Sequence, residues 1–225
     1  MILTIPYQTL EIPNINILPF AVDAKGKHIA RMNYKDSSIQ FDDVSILTPP
    51  MRIVSYDPRA NKLIVNVDGQ KEFISKINTM QEYLCSTFYE YRHTFLKNKV
   101  NNLHQTRELF QNILHGDTMI LHIYPATNVR TSDGTKVSIV QLKAGDMIRA
   151  VIRIQGVARI NKFNSYNGVY DFFFRIYHTI PTMWHIGNDD GGSYSSSGNS
   201  GSVGSGSSTS SPRNNGTIDD INTYI

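Results

Sequence analysis

The chain has 225 residues, 40% of them apolar, with 22 Lys and Arg against 19 Asp and Glu, a net charge of +3. That is room for one large domain or two small ones. The single cysteine, Cys85, excludes a disulfide framework and a cysteine-based zinc site. No run approaches the roughly 18 uninterrupted apolar residues of a membrane span.

The N-terminal MILTIPYQTLEIP carries Glu11 and no basic start, so it does not read as a signal peptide and an intracellular location is expected. From there to about residue 70 the pattern is extended chain with turns. Short strands are expected around Leu3 and over 15–22, 28–34 and 39–47. Arg52–Tyr56 and Lys62–Val67 flank Asp57-Pro58-Arg59-Ala60, the composition of a hairpin turn. The period then changes. Ile77, Met80, Leu84, Phe88, Tyr91 and Phe95 recur at helical spacing and predict a helix over 75–96. A second helix is predicted over 106–114, with Leu109, Phe110 and Ile113 inward and Gly116 as its stop.

Beyond Gly116 strands are predicted over 118–124, 136–142, 147–160 and 169–180. In the last of these Tyr170, Phe172, Phe174, Ile176, His178 and Ile180 share one parity, and so one face. The preceding strand repeats the pattern with Ile148, Ala150, Ile152, Ile154, Gly156, Ala158 and Ile160. With these faces inward, Arg149, Arg153 and Arg159 point outward beside Phe173, Arg175 and Tyr177. Register then demands an odd loop or a bulge between Asn164 and Val169. Lys162, Phe163 and Tyr166 lie at the tip.

The expected fold is mainly β (α+β), an OB-like, partly closed barrel with a helical pair inserted at about 75–115. It spans 1–186. Residues 187–225 hold 8 Gly and 11 Ser and too little apolar surface to offset ordering, so a disordered tail is expected. The tail carries −3, which leaves +6 on the body, and +5 of that falls within 136–186. A basic body with an acidic tip points to a polyanion.

Arginines interleaved with exposed rings suit single-stranded nucleic acid, where cations neutralise phosphates and rings stack on bases. The expected contacts are Arg149, Arg153, Arg159, Lys162, Phe163, Tyr166, Phe173, Arg175, Tyr177 and Trp184. No phosphate-binding glycine loop, HExxH or Gly-x-Ser-x-Gly elbow is present. His178 lies on the apolar parity and reads as a core histidine. No catalytic residue, metal site or cofactor is therefore assigned, and the chain is not read as an enzyme.

Arg149-Ala150-Val151-Ile152-Arg153-Ile154-Gln155-Gly156-Val157, followed by a hairpin and an aromatic strand ending in Ile176-Tyr177-His178, resembles the C-terminal half of a known group. That group is the OB-fold single-stranded DNA-binding proteins of nucleocytoplasmic large DNA viruses, of the African swine fever virus type. The match covers about 117–180. The tail resembles, in architecture, that of bacterial and phage single-stranded DNA-binding proteins, with Gly191–Ser211 as linker and Ile218, Asp219, Asp220, Ile221, Tyr224 and Ile225 as tip. The resemblance implies viral DNA replication, recombination or repair in host cytoplasm or nucleus, and recruitment of replication or repair proteins by the tip. Homo-oligomerisation is compatible with it. The rival readings are a structural or assembly protein of a virion or complex using the same sheet face, and a hydrolase or nuclease using the scattered acids.

Overall fold

Alternation and helical period translate directly into the elements of the computed structural model, which describes residues 4–97, 100–124, 126–164 and 169–188; side chains of 162–171 and 188 are outside that description. The chain divides into two units, Met1–Asp190 and Gly191–Ile225. The second unit, with the tail and its tip, lies outside the described residues, as do Leu3 and Tyr166.

The first unit is mostly β. Its strands are β1 (Ile5–Pro6), β2 (Ile15–Val22), β3 (His28–Lys35), β4 (Gln40–Phe41), β5 (Val44–Leu47), β6 (Met51–Asp57) and β7 (Lys62–Asn66). Helices α1 (Lys71–Glu90), α2 (Arg92–Phe95) and α3 (Leu103–Leu109) come next. After them run β8 (Phe110–Gln111), β9 (Leu114–His115), β10 (Thr118–His122), β11 (Asn128–Thr131), β12 (Asp146–Asn164) and β13 (Val169–Asn188).

Five strands make the frame of the site. β6 pairs with β7, β7 with β10, β6 with β12, and β12 with β13, each antiparallel. β10 and β13 lie side by side, but no ladder joins them among the described residues, so the sheet is not closed. The seam is bridged by side chains. The His122 N–H donates to His178 Nε2 at 3.3 Å, and the Thr127 hydroxyl donates to the Ile180 carbonyl at 2.6 Å. This order is consistent with the partly open five-stranded Greek key of OB folds.

β12 and β13 are longer than the barrel needs. Beyond its pairing with β6, β12 takes β5 along 151–154 and β3 along 156–159. α1 covers the core beside this extension. Phe73, Ile77, Met80, Leu84 and Phe88 recur every three or four residues and are buried. Phe88 meets Phe95, Phe110 and Phe174 at ring distances of 4.4, 5.1 and 5.1 Å. Tyr83 Oη donates to the Ile15 carbonyl and Lys76 Nζ to the Leu10 carbonyl, which ties the helix to the N-terminal segment.

Three expectations are corrected. The helix expected over 75–96 starts at Lys71 and breaks at Tyr91. The helix expected to reach Leu114 ends at Leu109, because Phe110 and Gln111 pair in parallel with Phe174 and Arg175. The expected strand 136–142 holds one 3₁₀ turn, Ile139–Gln141, since Ser138 and Gln141 form a reciprocal capping box.

Candidate nucleic-acid interface

Burial fixes which side of β13 faces out. Phe174, Ile176, His178 and Ile180 are buried, while Phe173, Arg175, Tyr177 and Thr179 are half-buried on the other face. The expected parity therefore holds up to Ile180. There it flips, because Val151 pairs with Thr182 but Arg153 with Thr179. Met183 turns inward at 0% exposure and Trp184 faces the other way.

On β12 the outward parity of Arg159 is corrected. A bulge between Ile154 and Gly156 inserts one residue, after which Val157 is core and Arg159 stands opposite Phe174. The Arg159 guanidinium lies over the Phe172 ring, 4.4 Å from its centroid, with Nε buried. The register compensation demanded near the tip thus sits within the strand. Only Gly fits there. Gly156 has φ +155°, and an added Cβ would lie 2.2 Å from the Ala30 carbonyl oxygen.

The other arginines differ in what already holds them. Arg153 forms an ion pair with Asp43. Arg149 Nε donates to the Thr48 carbonyl at 2.8 Å. Arg175 Nε donates to Gln111 Oε1 at 2.6 Å, and its guanidinium lies 5.7 Å from the Phe173 centroid. No ion pair joins Arg175 to a carboxylate among the described residues. The side chains of Lys162 and Phe163 lie outside the described residues.

Two clusters result. In the first, Phe173, Arg175 and Tyr177 stand in register with Ile160, Ala158 and Gly156, which bring no charge. Lys27, from the β2–β3 turn, places Nζ 4.7 Å from the Tyr177 centroid. Tyr124, just past β10, lies near Tyr177, and burial raises its phenol above the ordinary tyrosine range. His122 and Lys62 are in register across β10 and β7 at the same end. In the second cluster, Trp184 is in register with Arg149 of β12 on one side and Arg130 of β11 on the other. Ile186, 45% exposed, follows on the same parity. In-register neighbours share a face, so the indole lies between two guanidinium-bearing positions.

Lys27, Lys62, His122, Tyr124 and Arg130 were not among the sequence-predicted contacts. Their placement depends on pairings of distant segments, and the only local sign was the Lys25-Gly26-Lys27 turn. Among the described residues no group of three or more His, Cys, Asp or Glu side chains could hold a metal ion, and no helix is long and apolar enough to cross a membrane.

No family model and no curated protein matches the chain. A solved structure with a similar chain path is gp2.5, a single-stranded DNA binding protein encoded by bacteriophage T7. The match has 11% identity and a TM-score of 0.40, covering 72% of this chain and 100% of that one.

Proposed function

We propose that the protein binds single-stranded DNA with little sequence preference and without catalysis, in replication, recombination or repair of viral DNA. The observation that carries this reading is the outer face of β13, where Phe173, Tyr177 and Trp184 alternate with Lys27, Arg175, Arg149 and Arg130. Unstacked bases find rings there and phosphates find cations; duplex DNA offers the phosphates but hides the bases. The tip Ile218–Ile225 would recruit replication or repair proteins, so removing 213–225 should abolish their capture.

The test is equilibrium binding of single-stranded and duplex DNA over a range of salt. With three to five cations on phosphates, log affinity should fall against log salt with a slope of roughly −2 to −3.5, from ~0.7 per contact. A slope near zero, or equal affinity for duplex, would exclude this mode and favour the rival reading of a protein interface.

A further inference from the structure

We infer that Lys62, His122 and Arg175 form a phosphate site in which strand binding draws a proton onto His122. This rests on the single-stranded DNA reading and specifies one contact of it. His122 alternates with the buried Leu121 and Ile123 and is itself half-exposed, so it belongs to the outer face of β10. Lys62 is its direct partner across the ladder to β7. From β13, which runs beside β10, His178 accepts the His122 N–H. Arg175, on the outer face of the same strand and held by Gln111, is near enough for its charge to act on His122.

His178 cannot neutralise this group of cations. Its Nε2 accepts the His122 N–H, and its Nδ1 lies 3.3 Å from the Ile176 carbonyl oxygen, so the proton sits on Nδ1 and the ring is neutral. Tyr124 faces the site from the end of β10. On β6, Asp57 is opposite Lys62, and its Oδ1 accepts the Arg59 and Ala60 amides. No ion pair joins Lys62 or Arg175 to a carboxylate among the described residues. Burial, and then the charges of Arg175 and Lys62, hold the His122 imidazole below its ordinary range.

Two cations flank an imidazole that burial, and then their repulsion, disfavour in its protonated form. A phosphodiester oxygen placed among them reverses that field and favours imidazolium, which then donates a third hydrogen bond to the phosphate. Binding and proton uptake are therefore linked, and one proton can strengthen binding by at most tenfold per pH unit.

The experiment measures dT-oligonucleotide affinity of the full chain at pH 5.5, 6.5 and 7.5 at constant ionic strength, for wild type and His122→Gln. The His122 ring is titrated by NMR with and without the oligonucleotide, and separately with inorganic phosphate. The expected result is tighter wild-type binding at lower pH, a slope smaller by up to one proton in the variant, and a His122 titration moved upward by the oligonucleotide. Free phosphate should move it in the same direction by less. Equal slopes, or an unmoved His122 titration at saturation while the strand still binds, overturn the site and leave the DNA reading standing. An upward shift with phosphate alone, without oligonucleotide binding at any pH, overturns the DNA reading and identifies the ligand as a free phosphate. The wild-type NMR titration decides the matter even where the variant does not fold.

Discussion

Phe173 and Phe174 are adjacent in sequence and opposite in consequence. Phe174 is fully buried against Phe20, Phe88 and Phe110, so Phe174→Ala should destabilise the fold by about 3–5 kcal/mol. Phe173→Ala and Tyr177→Ala should instead weaken single-stranded DNA binding by about 1–3 kcal/mol each, with thermal midpoints close to wild type. Fluorescence anisotropy and thermal melts of the three variants check this, and a large stability loss at Phe173 would reverse the assigned faces. The arginines divide in the same way. Arg153 is already paired with Asp43, while Arg175 bonds the neutral Gln111 and has no carboxylate partner among the described residues, so Arg175→Ala should flatten the salt slope by about 0.7 and Arg153→Ala should not. A salt titration of both variants in which Arg153→Ala flattens the slope equally would show that its ion pair opens to admit phosphate.

At the scale of elements, legibility followed locality. The helical spacing of α1 and the alternation of β12 and β13 could be read from the sequence, because burial of one face imposes those periods, and β2, β3, β6 and β7 fall where short strands are expected. Parity counting failed at Gly156, where one inserted residue turned Arg159 inward. A uniform period cannot reveal a bulge, although an isolated Gly inside a strand is its usual sign. The segment 136–142 failed for the opposite reason. Its Val and Ile content suits a strand, but the Ser138–Gln141 capping bonds fold it locally and leave Val140 68% exposed. The bulge also allows a sharp test. In Gly156→Ala the new methyl group meets the backbone carbonyl of Ala30, which cannot step aside as a side chain would. The β3–β12 pairing must shift, and the expected loss is at least the 1–3 kcal/mol typical of overpacking. Chemical denaturation showing wild-type stability would mean that β3 does not pair with β12 as described.

For the whole molecule, the weak line is the seam where β10 and β13 run side by side without a ladder. His178 stands in for a missing rung there, its Nε2 accepting the His122 amide, and it can do so only as a neutral ring. Burial, with smaller effects from His122 and Arg175, lowers its pKa from 6.5 to about 4. The unfolded chain takes up this proton below pH 6.5 while the folded protein refuses it until about pH 4. The contribution is therefore fully present above pH 6.5 and is lost progressively as pH falls from 6.5 towards 4. At 1.36 kcal/mol per pH unit, the loss is about 3 kcal/mol by pH 4. Urea unfolding at pH 7 and pH 4.5 should show most of that decrease in wild type. His178→Gln keeps an acceptor for the His122 amide but does not titrate, so it should be less stable at pH 7 and lose less on acidification. If both proteins lose stability equally between the two pH values, the acid sensitivity lies elsewhere and the seam does not depend on a neutral His178.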